Sequence, residues 1–331
     1  MNAGSDDYAL LADIGGTNAR FALCDGAQQI LAVKVLACRD YPSLAEAILT
    51  YLNLPDVRAS CVAHRLSRAA LAIANPVQGD WISMTNHHWR FSQQALARQF
   101  DWQHLLVLND FSALAMSLPY LQPHQRVEIV PGQAQARAPI ALLGSGTGLG
   151  VSGLIPRDHG GGWQALASEG GHCSFAPANA QEMAILDALW QDFGHASAER
   201  LLSGSGLEWL YQHFSGARLS AAEISARALA GSCAQSRQTV LSFCAILGGV
   251  AGNLALTLGA HGGVYIGGGI VPRFQQLLQQ SEFSLRFSAK GRLRSYLQSI
   301  PCYLITADHP ALFGAAMALQ QQQQCAELLK T

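Results

Sequence analysis

The sequence predicts an α/β protein of alternating strands and helices in two domains, and three observations carry that prediction. The chain opens with apolar and alternating runs separated by a glycine turn, the pattern of a strand leading into a meander. Strand-like and helix-like segments then alternate to its end, which suits layered α/β architecture better than a sandwich or a bundle. Its 331 residues are about twice the usual length of a domain.

The elements follow in order. Residues 8–14 are apolar up to a Gly-Gly turn, and 18–24 and 29–35 alternate after it, so all three read as strands. Ser43 with Glu46, Ser205 with Glu208 and Ser220 with Glu223 each place a hydroxyl three residues ahead of a carboxylate. That spacing lets side chains and free backbone amides satisfy one another, so three helix starts are expected there. Further strands are predicted at 69–74, 104–109, 139–143, 148–155, 262–266 and 301–306, and helices at 92–100, 111–118, 181–193 and 310–328. The Pro- and Gln-rich stretch 119–139 is the expected domain boundary. Five glutamines, 320–324, lie inside the terminal helix and are assigned no function.

Between Arg237 and Arg273 stand 35 residues without a charged side chain. Residues 240–258 are long enough to span a bilayer, and Gly248 and Gly252 form a G-x-x-x-G. A glycine-rich turn and a strand pattern follow instead of a basic flank, which favours a helix buried on all sides.

Composition excludes other classes. Half the residues are apolar and 13% are charged, which is incompatible with intrinsic disorder. With 21 Lys plus Arg against 22 Asp plus Glu and no basic run, nucleic acid is not an expected partner. Asp6 and Asp7 precede any basic residue, so no secretory signal is expected. The eight cysteines (24, 38, 61, 173, 233, 244, 302 and 325) form no C-x-x-C, which disfavours zinc and redox motifs and leads to an expected cytoplasmic location with reduced thiols, mostly in the core.

Three apolar runs end in glycine turns: Asp13-Ile14-Gly15-Gly16-Thr17-Asn18, Gly144-Ser145-Gly146-Thr147-Gly148 and Ile266-Gly267-Gly268-Gly269-Ile270. Glycine lets successive N–H groups converge, and a neighbouring hydroxyl adds a donor, a combination suited to phosphate. A glycine turn that merely ends a strand is the alternative at each. No lysine follows a glycine, so a Walker A loop is excluded. Gly148, Gly150 and Gly153 make a G-x-G-x-x-G, but a strand pattern follows where a dinucleotide fold needs a helix. The protein-kinase H-R-D motif is absent, so the D-F-G at residues 192–194 stands without its catalytic loop.

Among the acids, Asp13, Asp110, Glu169 and Glu199 stand out. Asp110 begins a helix after a strand, where it serves either as chemistry or as an N-cap. Glu169-Gly170-Gly171-His172 is a tight turn holding an acid and an imidazole, or a structural histidine. Glu199-Arg200 is either functional or a surface ion pair. A carboxylate beside phosphate-holding loops is the minimum for phosphoryl transfer to an alcohol, so residue chemistry alone reaches a small-molecule kinase.

In combination these segments resemble a known family. Residues 12–20 (Ala-Asp-Ile-Gly-Gly-Thr-Asn-Ala-Arg), Gly79-Asp80-Trp81, Met84-Thr85-Asn86-His87, Leu108-Asn109-Asp110-Phe111, Gly144 to Gly150, Glu169 to His172, residues 197–204 and residues 267–274 are similar in kind and order to the bacterial ATP-dependent glucokinases. The resemblance implies a two-domain actin-like, ribonuclease-H-like hexokinase fold closing over the sugar at an interdomain cleft. The small domain would comprise 1–120 plus 306–331, the large one 121–305. It implies Asp110 as general base for the glucose 6-hydroxyl, with Asn109, Glu169, His172 and Glu199 holding the other hydroxyls. Ala12, Asp13, Ile14, Gly15, Gly16, Thr17, Gly146, Thr147 and Gly148 would hold ATP phosphates with Mg²⁺ and no tightly bound metal, and Gly267, Gly268 and Gly269 would lie near the adenosine. Glucose and ATP as partners, no membrane, and a homodimer complete the expectation, with the uncharged 238–272 stretch available to the dimer core. A kinase for another hexose or amino sugar, and a catalytically silent sugar-binding regulator, are the alternatives. Asn75 stands where the family usually has an apolar or Cys residue and Ser145 where Ala is common; a related branch has a cysteine-rich zinc motif after the glycine-His turn, where this chain has only Cys173.

Overall fold

A computed structural model describes residues 7–61, 64–158 and 161–328. The strands, in chain order, are β1 (Asp7–Ile14), β2 (Asn18–Cys24), β3 (Ile30–Ala37), β4 (Arg65–Ile73), β5 (Trp81–Ser83), β6 (Arg90–Ser92), β7 (His104–Asn109), β8 (Arg126–Val130), β9 (Ile140–Ser145), β10 (Leu149–Pro156), β11 (Trp163–Ser168), β12 (Val264–Gly267) and β13 (Cys302–Ile305). The chain divides into two compact units, Met1–Leu121 with Arg157–Ala167 and Asp308–Thr331, and Gln122–Pro156 with Ser168–Ala307.

In the first unit the sheet order is β3-β2-β1-β4-β7. β1 runs antiparallel to β2 and parallel to β4, which is parallel to β7. Because strand side chains alternate between faces, each strand feeds two cores. Leu10, Ala12, Ile14, Phe21, Leu71 and Ile73 pack on one face with Leu44, Ile48 and Tyr51 of α1 (Leu44–Leu52). Ala9, Leu11, Ala70 and Ala72 pack on the other against the C-terminal helix Pro310–Leu328, which brings Leu312, Ala315, Ala316 and Leu319. The helices α2 (Pro55–Cys61), α3 (Gln93–Gln99) and α4 (Asp110–Ser117) complete the unit.

In the second unit the strands run in the order β10-β9-β12-β13-β8. β9 pairs antiparallel with β10, β12 lies parallel to both β9 and β13, and β8 is antiparallel to β13. Every residue of β9 and of β12 is buried, as central strands covered on both faces should be. The main covering helices are α5 (Ala180–Phe193), α6 (Gly204–Ser215), α7 (Ala221–Leu229) and α8 (Ala234–Leu258). α8 contains the uncharged stretch and is long and apolar enough to cross a membrane, yet 61% of its apolar window is buried inside the protein. A Cβ at Gly248 or Gly252 would run into the carbonyl oxygens of Phe283 and Phe287, so its small-residue face is used within the chain by the helix Phe283–Ser288.

Other differences from the sequence reading have local causes. α6 is capped by Ser203, whose hydroxyl accepts the Gly206 N–H at 3.1 Å, while Ser205 lies inside the helix. Glu208 takes the Ala221 N–H at 2.9 Å instead of closing a box with Ser205. The Ser220–Glu223 box is fully reciprocal, and Ser43 caps α1 through the Glu46 N–H at 3.2 Å. The 119–139 stretch contains strand β8, hidden from the sequence by its proline and glutamine flanks. Of the eight cysteines, all free, Cys24, Cys38, Cys244 and Cys302 are buried and Cys173 is exposed.

Candidate active site

The predicted site residues form two groups, one in each unit. In the first, parallel pairing aligns Ile14 with Ile73 and Ile73 with Asn109, so β1, β4 and β7 end together. Polar groups placed just beyond the carboxyl ends of parallel strands are the usual ligand-facing position in open α/β sheets. Here those groups are the Gly15–Thr17 turn, Asn75 and Asp110.

Ala12 and Ile14 point into the core and Asp13, between them, points to the opposite face. Its carboxylate lies 3.3 Å from the Arg20 guanidinium. Burial raises the Asp13 pKa above its ordinary value, and Arg20 and then His309 oppose that shift. The turn closes by a Gly15 N–H bond to the Asn18 carbonyl at 3.0 Å, and the Thr17 carbonyl accepts the Cys38 N–H at 2.9 Å.

Asn109, not Asp110, caps α4. Its Oδ1 accepts the Phe111 and Ser112 N–H groups at 3.0 and 3.2 Å. Asn109 Nδ2 donates to Asp110 Oδ1 at 3.0 Å, and the same oxygen takes the Phe111 N–H at 2.9 Å. The capping alternative for Asp110 is thus filled by its neighbour. Asp110 is largely buried, and desolvation, with the nearby Asp13 carboxylate adding to it, pushes its pKa up to about 6 against the lowering effect of these hydrogen bonds. Its Oδ2 makes no hydrogen bond among the described residues.

In the second unit β9 and β12 align Gly144 with Gly267, which brings two of the glycine turns together. A Cβ on Gly144 would lie 2.7 Å from the Gly267 carbonyl carbon and 3.0 Å from the Gly268 nitrogen. Gly268, at φ +84°, presses on the Ser145 carbonyl in a backbone conformation that suits glycine. Gly146 N–H donates to Gly148 O at 2.8 Å, and Gly146 O accepts the Gly204 N–H at 2.9 Å, so the turn is tied to the start of α6.

The second group's acids and histidine converge beside this turn. Glu199 Oε2 accepts the Leu149 N–H at 3.0 Å, and its carboxylate occupies the space a Cβ on Gly148 would need. His172 Nδ1 lies 3.7 Å from Glu199 Oε1, and His172 Nε2 lies 3.9 Å from Glu169 Oε2. The His172 side chain is 60% exposed and Glu169 67%, so these groups can face a ligand. Glu199 and Arg200 make no pair with each other: Arg200 stacks over the Phe193 ring at 4.2 Å while Glu199 turns to the glycine turn. A polar trio beside a glycine turn can hold a polyol and a phosphate as neighbours.

Arg20, Asn75, Asn86 and His309 were not among the expected site residues. Arg20 and Asn86 lie within the motif segments, but their roles depend on contacts with Asp13 and Gly16 that only folding creates.

The family model described as Glucokinase matches residues 10–322. The glucokinase of Chromobacterium violaceum is 50% identical over 316 residues, covering 94% of this chain and 88% of that protein. The bifunctional protein glk of Paraburkholderia xenovorans is 49% identical over 96% of this chain, which spans about half (50%) of that protein's length. The crystal structure of a glucokinase from an Antarctic psychrotroph superposes with a TM-score of 0.85 at 38% identity, covering 95% of this chain and 99% of that one. The fold is accordingly the two-domain actin-like fold of these sugar kinases. With a family model matched across most of its length and half its residues shared with a curated member, and with its polar trio and glycine turns in place, the chain belongs to the glucokinase family.

Proposed function

We propose that this protein transfers the γ-phosphoryl group of ATP to the 6-hydroxyl of glucose, with Asp110 as general base. The observation that carries the reading is the Asp110 carboxyl. It is largely buried at the start of α4, its pKa is near 6, and Oδ2 is left to receive a proton. A base is most effective when its pKa lies near the working pH. As the 6-oxygen attacks phosphorus, its proton passes to Asp110, the bond to the β–γ bridging oxygen breaks, and ADP departs.

The remaining roles follow from the groups available. Glu169, His172 and Glu199 supply acceptors and an imidazole for the other hydroxyls, which discriminates against sugars lacking one by leaving a group covered by the bound sugar unpaired. Asn109 contributes through the one amide hydrogen not engaged by Asp110. The Asp13–Thr17 and Gly146–Gly148 turns take the phosphates, with Ala12 and Ile14 limited to backbone contact because their side chains are in the core. Gly267 to Gly269 flank the adenosine. Mg²⁺ would arrive with the nucleotide, since this ion is held chiefly by substrate phosphates and one or two carboxylates. Asp13 would hold it, and it would neutralise phosphate charge. A cytoplasmic homodimer completes the proposal, with the unpaired cysteines supporting a reducing compartment.

A panel of hexoses and amino sugars assayed with ATP and Mg²⁺ tests the reading. Glucose should give the highest kcat/KM. Preference for another sugar would reassign the substrate, and calorimetric glucose binding without turnover would make the protein a sugar-binding regulator.

A further inference from the structure

The short hairpin β5–β6 carries at its tip Thr85, Asn86, His87 and His88, which the proposed reaction does not use. The tip is tied down at three points. Met84 N–H donates to the Trp89 carbonyl at 3.0 Å. His88 Nε2 and Trp89 Nε1 both lie 2.9 Å from the Tyr41 carbonyl oxygen. Asn75, two residues beyond β4, accepts the Thr85 N–H on Oδ1 at 3.0 Å and accepts the Thr85 hydroxyl on the same atom. Its own Nδ2 donates to the Pro76 carbonyl at 3.0 Å, which sets the orientation of the amide.

The residue next to Thr85 touches the nucleotide turn. A Cβ on Gly16 would lie 2.9 Å from Asn86 Cβ, so Gly16 and Asn86 are packed as closely as a glycine permits. The backbone between Asn75 and that turn is also continuous, because Ala74 N–H donates to Ile14 O at 3.0 Å and Asn75 N–H to Ile73 O at 2.8 Å. Asn75 therefore joins the end of β4 to a tip that presses on Gly16, and an apolar side chain at position 75 could accept neither Thr85 donor.

We infer that Asn75 is a positioning residue that holds the Thr85–Asn86 tip against Gly16 and so fixes the Gly15–Thr17 turn in its phosphate-binding shape; the inference rests on the glucokinase reading above. Asn86 acts as the wall and Asn75 as its anchor. Because the anchored element is the nucleotide turn, the effect falls on ATP and not on the sugar.

The test is steady-state kinetics on full-length Asn75→Ala, Asn75→Asp and Thr85→Val with glucose and MgATP varied independently. Two neutral hydrogen bonds are removed in Asn75→Ala, so KM for ATP should rise by about tenfold while KM for glucose stays within about twofold. Asn75→Asp keeps an oxygen for both Thr85 donors and should restore KM for ATP to within about threefold of the parent. Thr85→Val loses only the hydroxyl bond and should fall between them. An unchanged KM for ATP in Asn75→Ala, an equal rise for both substrates, or an Asn75→Asp variant as impaired as Asn75→Ala would overturn the inference. If Asn75→Ala fails to fold, Thr85→Val carries the same comparison. A parent protein that turns over no sugar overturns the glucokinase reading instead, so the two failures are distinguishable.

Discussion

Replacing Asp110 by Asn should make the protein more stable and nearly inactive, with a pH signature that separates the two effects. The native carboxyl titrates near 6 against an ordinary 3.8, because burial and the Asp13 carboxylate disfavour its ionised form. At pH 7 the fold holds that carboxylate ionised at a cost of about 3 kcal/mol, reduced to about 2 kcal/mol for the solvent contact it keeps. Asn is isosteric and its Oδ1 still accepts from Phe111 N–H and Asn109 Nδ2, so only the charge is lost. The sign follows from the raised pKa. Between pH 4 and 6 the native state binds more protons than the unfolded chain, so the wild type loses stability as pH rises through this window. The advantage of Asp110→Asn should be near zero below pH 4, grow to pH 6 and stay level above it. Thermal melts of the ligand-free proteins from pH 4 to 8 should show a rise in Tm of roughly 5 °C at pH 7. In a coupled assay kcat should fall by about 10²–10⁴. An equal gain at pH 4 and pH 7 would refute the charge-burial argument, and full activity would refute the base assignment.

Three other outcomes are expected. Gly144→Ala drives a methyl group onto the Gly267–Gly268 backbone and should destabilise the second unit by about 1–3 kcal/mol while raising KM for ATP; a variant with wild-type Tm and KM would contradict the packing of the two turns. Glu182→Ala leaves Arg286, 3.0 Å from Glu182 Oε2 through Nη2 and largely buried, without its partner. It should cost about 3–5 kcal/mol in urea denaturation, whereas replacing both residues by apolar ones of similar size should recover most of the loss. Glu199→Gln keeps an oxygen for the Leu149 N–H but loses the charge beside His172, so KM for glucose should rise by roughly tenfold with KM for ATP nearly unchanged, and a reversed pattern would move Glu199 to the nucleotide.

The residue pattern alone determined a good deal. An apolar run located β1 and alternation located β2, and β7 and the C-terminal helix lie where predicted, because apolar runs and periodicity are local properties of the chain. The glycine turns and the acids beside them were legible for a similar reason: a scarce charged residue next to a glycine run has few structural roles. The uncharged stretch does hold a long helix, but 61% of its apolar window is buried where burial on all sides was expected, because one edge of α8, with Asn253 and Thr257, stays exposed. Hidden from sequence were features whose partners are distant. Ser203 caps α6 although Ser205 has the better spacing, because Glu208 is drawn away to Ala221. Asn109 and Asp110 are equally plausible caps on paper, and only the backbone direction leaving β7 decides that Asn109 accepts the amides while Asp110 stays a largely buried carboxylate. The Glu199–Gly148 contact, the stacking of Gly144 on Gly267, and the brace from Asn75 to Thr85 join residues separated by between 10 and more than 100 positions. Hydrogen bonding and burial are set by what the fold brings to a point, so the raised pKa of Asp110 belongs to the tertiary structure, whereas the identity of the acid that bears it was written in the chain.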